Sequence, residues 1–552
     1  MFVLLLFLIL SLSWAQLQLP EEYQLFIRFN QTKDLSVGYR ILRDYPDAVF
    51  KEDLMLLMAK EELEKGQEDK AKNLVLNIDP KNLSQQYRED YLNLWKSLNL
   101  DPKVGFLKAP ILFREFIPYI SLSQEEALQA SEELFKRRYY KEVIRLLEPF
   151  EFSRVCYTLG RAYSLLRERD KAIEVFENCE DQRAKGELAF IYFELGQREK
   201  VEKMLSTIKD REVLSNSLFR IGRQSLFRRN YQEAIEYLER MNVSYSREFN
   251  LGLSYYALGD YQRALEHFLN SLKYSGNRED RSASYFWAYK SALMVDSEKA
   301  NEYLIKASNG AGFYHAVASY MLGLPIASKA MRVVMEDESL PRVASTIKSI
   351  RSAGFPEYAR REAFKRIREI SSSDILAISR FDPFLSIRLA VRKYGYGSLV
   401  YNAVAFPTPF KSSVERASDR YGIEPALVYA VIRQESLFDP YAVSIANARG
   451  LMQLIDSTAR YVARKEGIRI KNIYEPNTNI LLGTAYLREL LDQWSGDLVR
   501  AIASYNAGPS RVRSWNNHQD VYLFIETIPI TETRNYVKRV LYDYYVYTEI
   551  LK

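Results

Sequence analysis

Glu435 is the residue of this 552-residue chain whose setting best suits acid chemistry. Pro425 fits the first turn of a helix, where a fixed φ and a missing N–H do no harm, and Ala426 to Gln434 continue it with strong apolar content. On that helix Val428, Ile432 and Glu435 fall at i, i+4 and i+7 and share a face. A carboxyl at the end of an apolar stripe loses hydration, so its pKa rises and it stays protonated near neutral pH, as a general acid must. Phe438-Asp439-Pro440 then ends the helix, leaving Glu435 at the edge of whatever cleft follows. Taken alone, the same spacing describes a solvated glutamate at a helix end.

Three further segments add to it. Arg449-Gly450-Leu451-Met452-Gln453 joins a glycine turn to an apolar pair and an amide able to hydrogen-bond a sugar. Ala503-Ser504-Tyr505-Asn506-Ala507-Gly508-Pro509 puts a phenol and an amide at a helix end closed by Gly-Pro. Ile528-Pro529 and then Thr531-Glu532-Thr533-Arg534-x-Tyr536-Val537 place a second carboxylate where a helix opens. Each segment also reads as an ordinary turn or cap. Two cysteines and three scattered histidines supply no zinc site of the usual spacing, and no metal or cofactor is expected.

The elements that must position these residues are helical, and an all-α chain is expected. Its length calls for two to four domains. With 47% apolar residues, 27% charged residues and sparse glycine and proline, the composition is that of a folded protein without low-complexity linkers. A net charge of +6 is a mild basic bias that suits an anionic polymer without choosing one. From about residue 20 to 330 apolar residues recur at three- and four-residue steps. Leu159-Gly160-x-x-Tyr163 is followed by Ala172 and Phe176, and Leu251-Gly252-x-x-Tyr255 by Gly259, Tyr261, Ala264 and Phe268. Ile221-Gly222 with Tyr231, Ala234 and Leu238 repeats the offsets, and Leu188-Ala189-x-x-Tyr192 with Gly196 is a weaker copy. These residues resemble the tetratricopeptide pattern, whose units bury their apolar faces only by stacking into a superhelix.

Arg167 to Asp170 lie midway between Cys156 and Cys179, so in an antiparallel hairpin the two sit at one height on facing helices. They form either a disulfide or two buried thiols. From 331 to 405 the texture is helical, more basic and without the repeat, and Ala405-Phe406-Pro407-Thr408-Pro409-Phe410 marks an extended boundary. The expected division is a leader at 1–15, a superhelical domain at 16–330, a helical linker at 331–405 and a catalytic domain at 406–552. The leader reading rests on the apolar run Met1 to Leu12 followed by Ser13-Trp14-Ala15, which reads as a secretory signal cleaved after Ala15, although no Lys or Arg precedes the run. An uncleaved anchor is the alternative.

In this order, Glu435-Ser436, Gly450-Leu451-Met452-Gln453, Tyr505-Asn506-Ala507-Gly508 and Glu532-Thr533-Arg534 resemble the successive motifs of the soluble lytic transglycosylases. These are exported bacterial enzymes with a goose-type-lysozyme-like catalytic domain. The motif likeness covers residues 406 to 552, and the helical stretches before it resemble the long body of the large periplasmic members. The resemblance implies cleavage of the β-1,4 bond between N-acetylmuramic acid and N-acetylglucosamine in peptidoglycan, leaving 1,6-anhydro ends. It implies Glu435 as acid and base, Ser444 at the N-acetyl group, Met452 and Gln453 lining sugar subsites, and Tyr505 positioning the acetamido group. Asn506 would support that loop and Glu532 would organise the cleft. Ser504, Ser510 and Asp456 depart from the family's more usual alanine, glycine and proline, outside the catalytic set.

Peptidoglycan strands are therefore the expected partner of a periplasmic monomer, with a cell-wall protein on the helical repeats as a further partner. A nucleic-acid partner is not expected, given the leader and the missing motifs. The alternatives are a lysozyme-type hydrolase on the same fold and a non-enzymatic cell-wall-binding scaffold.

Overall fold

The computed structural model describes residues 19–150, 152–295, 297–327, 340–515, 518 and 520–552. The expected leader at 1–15 lies outside them. Among the described residues the fold is all-α: helices throughout, with two isolated bridges, Val443 to Arg449 and Arg449 to Leu454. None of the described helices is long and apolar enough to cross a membrane.

The repeats pack as their residue sizes require. A methyl group at Gly160 would lie 2.4 Å from the Phe176 ring, one at Gly222 2.8 Å from Leu238, and one at Gly252 2.7 Å from Phe268. In each hairpin the missing Cβ lets the partner helix approach until its large side chain fills the gap. The turns between paired helices pass through left-handed residues, Arg167, Arg229 and Gly259. Cys156 and Cys179 are joined as a disulfide across the Phe152–Leu165 and Arg169–Glu177 pair, with Cα atoms 5.6 Å apart.

The chain forms two compact units, each built from two separate stretches of sequence: residues 1–184 with 335–396, and residues 185–334 with 397–552. In the first, the helices after residue 340 fold back onto the first helices of the chain. The Tyr358 hydroxyl donates to the buried Asp53 carboxylate at 2.7 Å, Arg361 donates to the Asn82 carbonyl at 2.6 Å, and Lys365 to the Asp47 carbonyl at 2.8 Å.

In the second, repeat helices and C-terminal helices share one body. Lys290 pairs with Asp520 at 2.7 Å, Tyr314 donates to Glu526 at 2.6 Å, and the Ile326 and Ala327 amides donate to the Glu549 carboxylate at 2.7 and 2.9 Å. The proline-rich segment after residue 405 is likewise held down. Phe406 lies under the Arg433 guanidinium, 4.3 Å away, and the Pro407 carbonyl accepts from Tyr547 at 2.8 Å.

Candidate functional site

The helix Pro425–Ser436 begins on its proline and buries Val428 and Ile432 completely. It stops because Leu437 and Phe438 both take left-handed conformations, φ 51° and 67°, which non-glycine residues adopt only when held there. The hold is visible. Ser436 donates to the Ile432 carbonyl at 3.1 Å and accepts from the Phe438 amide at 3.2 Å, while the Phe438 ring is buried. Just before the stop, Arg433 forms a two-pronged ion pair with Asp543 at 3.0 and 2.9 Å, and Gln434 donates to the same carboxylate at 2.6 Å. The last turn of this helix is thereby fixed to the long helix Thr531–Ile550.

Glu435 follows directly. Its Oε1 accepts a hydrogen bond from the Tyr536 hydroxyl at 2.6 Å, on that same long helix. The residue keeps part of its surface open, yet protein packs closely enough around the carboxyl to strip most of its water. This desolvation pushes its pKa up to about 7, the Tyr536 hydrogen bond pulls against the rise, and the Glu532 charge adds to it. The carboxyl is thus poised to give a proton near neutral pH and take one back. Because Tyr536 stabilises the ionised form, Tyr536→Phe is expected to raise the Glu435 pKa further. The alkaline limb of the pH–rate profile would then move to higher pH, a shift that a pH series on both proteins measures.

The loop opposite is built from backbone turns around Gly450, whose φ is +80° and where any Cβ would meet the Asn479 amide at 2.2 Å. Asn479, fully buried, is the residue that holds this loop. Its Oδ1 accepts from the Met452 amide at 2.7 Å, and its Nδ2 donates to the carbonyls of Arg449 and Ile473 at 3.1 and 2.9 Å. Asn479→Ala would leave the Met452 amide and the Ile473 carbonyl without a partner, the Arg449 carbonyl keeping its bond from the Leu454 amide, and is expected to destabilise the chain by roughly 2–4 kcal/mol, measurable by denaturant unfolding.

Met452 departs from the expectation that it lines a sugar subsite. Its side chain is completely buried against Gly483 and Thr484, and what it turns to the site is its carbonyl, which accepts from the Tyr505 hydroxyl at 2.9 Å. Gln453, with φ 48°, commits its amide hydrogens to the carbonyls of Ala442 and Gly450 at 3.0 and 2.9 Å. A sugar hydroxyl can therefore only donate to Gln453 Oε1. Ser444 is exposed, its Oγ accepting from the Ala448 amide at 3.0 Å.

The remaining motif residues meet at two helix ends. Asn506, in the last turn of Leu498–Ala507, accepts through Oδ1 from the buried Thr533 hydroxyl at 2.6 Å. Tyr505 precedes it, its ring 5.5 Å from that of Tyr486. Glu532 sits exposed in the first turn of Thr531–Ile550. The structure thus brings Glu435, Met452, Tyr505 and Glu532 into electrical or hydrogen-bonding reach of one another or of a shared neighbour. Two departures from the motif pattern have local reasons. Ser504 accepts from the Trp494 indole at 2.8 Å, and Asp456 opens a helix and pairs with Arg460 at 2.9 Å. No group of three or more metal-ligating side chains exists among the described residues.

The arrangement is a desolvated carboxyl at the end of a buried helix, with a glycine-turn loop and a phenol nearby. Residues 412–526 match the transglycosylase SLT domain, and residues 153–185 and 248–278 each match a tetratricopeptide repeat.

The chain is 29% identical over 316 residues to the soluble lytic murein transglycosylase of Salmonella typhimurium, covering 52% of this chain and 46% of that protein. It is 36% identical over 149 residues to the soluble lytic murein transglycosylase of Escherichia coli, covering 25% of this chain and 23% of that one. These likenesses span about half, or less, of the curated relatives' length. Two crystal structures share the fold. The 70-kDa soluble lytic transglycosylase of Escherichia coli has a TM-score of 0.66 at 18% identity, and an inactive glutamate-to-glutamine variant of the lytic transglycosylase Slt of Pseudomonas aeruginosa has 0.61 at 21%. Each alignment covers 96% of this chain and 92% of the other.

Proposed function

We propose that this chain is a lytic transglycosylase that cleaves the β-1,4 bond between N-acetylmuramic acid and N-acetylglucosamine in peptidoglycan and leaves 1,6-anhydro-muramoyl ends. The observation that carries this reading is the Glu435 carboxyl, pushed up to about 7 and hydrogen-bonded by Tyr536, inside a stretch that matches the transglycosylase SLT domain. In this reading residues 406–552 are the catalytic part, with 16–330 as a helical body and 331–405 as a linker.

Protonated Glu435 gives its proton to the leaving glycosidic oxygen. The substrate's 2-acetamido group stabilises the positive charge that develops at C1. Tyr505, whose hydrogen is committed to Met452, offers phenol lone pairs to the acetamido N–H, and Ser444 meets the same group from the loop. Ionised Glu435 then takes the proton of the muramoyl C6 hydroxyl as its oxygen bonds to C1, so one carboxyl serves as acid and then as base. Gln453 accepts from a sugar hydroxyl, while Asn506 and Glu532 keep the helix ends around the cleft in register.

Export to a periplasm is part of the proposal, supported by the apolar run at Met1 to Leu12 and by the Cys156–Cys179 disulfide, which persists in an oxidising compartment. Glycan strands are the partner of a monomer, and the repeats are free to hold a cell-wall protein as well. Mass spectrometry of muropeptides released from purified sacculi tests the reaction. Anhydro-muramoyl products support it, reducing ends make the chain a hydrolase, and release of neither favours a scaffold.

A further inference from the structure

Behind the long helix that carries Tyr536 lies a second group of charges. Tyr536 and Lys538 are two residues apart, so on a helix they point about 200° from one another, and Arg534 lies one turn before Lys538. Lys538 donates to Glu526 at 2.6 Å, and Tyr314 of the repeat helices donates to the same oxygen at 2.6 Å. That carboxylate is only 4% exposed. Two guanidiniums complete the group, and neither bonds a carboxylate. Arg223, from the repeat helix Arg211–Phe227, donates to Asn250 Oδ1 and to the Glu526 carbonyl, both at 2.7 Å. Arg534 donates to the Ile528 carbonyl at 2.9 Å and to Thr531 Oγ1 at 3.3 Å.

Three cations therefore share one hydrogen-bonded carboxylate. Asp280, which Lys538 also senses, is bonded to Asn277 and leaves the cluster still in positive surplus. Buried charge without a counter-charge is strongly unfavourable. The imbalance is felt electrically: burial and the neighbouring Arg534 pull Arg223 down to about 9, and Lys538 and Arg534 are also held below their ordinary values, chiefly by burial. Each of the three residues keeps part of its surface open.

We propose that Arg223, Arg534 and Lys538 form a binding site for a small oxyanion, shared between the repeat helices and the first turns of Thr531–Ile550, on the face of that helix turned away from Glu435. Guanidinium forks suit the paired oxygens of a carboxylate or a phosphate. The ion is either free in solution or a carboxylate borne by the substrate.

Thermal unfolding of the full chain against inorganic phosphate, with ionic strength held constant by sodium chloride, tests the site. A saturable rise in Tm of roughly 2 °C or more is expected. Arg223→Gln and Arg534→Gln should abolish it, Arg223→Lys should keep part of it, and Arg263→Gln, at an exposed ion pair with Asp260, should keep all of it. No saturable rise, or one equal in every variant, overturns the proposal. This measurement does not depend on the proposed reaction. A second arm rests on that reaction and identifies the source. Phosphate that raises KM for peptide-bearing strands but not for peptide-free strands points to a substrate carboxylate. Phosphate that stabilises the chain without changing either KM points to a free ion.

Discussion

Glu435→Gln is expected to lower kcat by about 10³-fold or more, in line with removal of a positioned general acid, while making the protein more stable at alkaline pH. The two effects share one cause. The carboxyl ordinarily ionises near 4.5 and in the folded chain only near 7, because folding strips its water. Between those values the native chain holds a proton that the unfolded chain has released. Stability therefore falls as pH rises through that window and stays at its lower level above it. Glutamine has the same shape, still accepts from Tyr536 and carries no charge, so the variant escapes the penalty. At 1.36 kcal/mol per tenfold change in proton affinity, the gain at pH 8 is at most about 3 kcal/mol. At pH 4 it should vanish. Tm values at the two pH values, beside product yields from sacculi, check both halves. Full activity in the variant would remove Glu435 from the chemistry.

The setting of Glu435 was legible in the sequence because its signals are local. A proline start, an apolar stripe and a break at Phe438-Asp439-Pro440 are all readable within one short segment, and the structure has the helix begin at Pro425 and stop at Ser436. The repeat hairpins were legible for the same reason, since Gly160 and Phe176 belong to one helical pair.

What escaped depends on contacts made far along the chain. Tyr536 stood inside a quoted motif, but its bond to Glu435 spans 101 positions, and no periodicity connects them. Asn479 lies in an otherwise ordinary helix and gains its role only because Gly450 and Met452 fold against it. Met452 was expected to face a sugar. The absence of a side chain at Gly483 opens a space in the core, and the thioether fills it. The helices after residue 340 bond to Asp53, Asp47 and Asn82, residues 305, 318 and 279 positions before their partners, and no local spacing announces such contacts.

Asp543→Ala is expected to cause the largest loss of stability, about 3–5 kcal/mol, seen as a Tm lowered by roughly 10 °C. Asp543 is 1% exposed and serves three donors' worth of bonds, two from Arg433 and one from Gln434. Arg433 is itself hemmed in by Phe406, the Ala405 carbonyl and the Tyr401 hydroxyl, so without the carboxylate its charge stays buried and unpaired.

The pair also has a positional role, which a double variant separates from the energetic one. In Arg433→Met with Asp543→Leu no charge is left stranded, and apolar replacements of a buried ion pair are often neutral or better, so most of the lost Tm should return. Activity should not return with it. Arg433 and Gln434 fix the turn from which Glu435 reaches Tyr536, and a displacement of about 1 Å at a catalytic group lowers rate by about 10²-fold. A double variant that regained both stability and rate would show that the ion pair holds the fold and not the acid. One that regained stability alone would assign this pair, two residues from the carboxyl, to the positioning of Glu435.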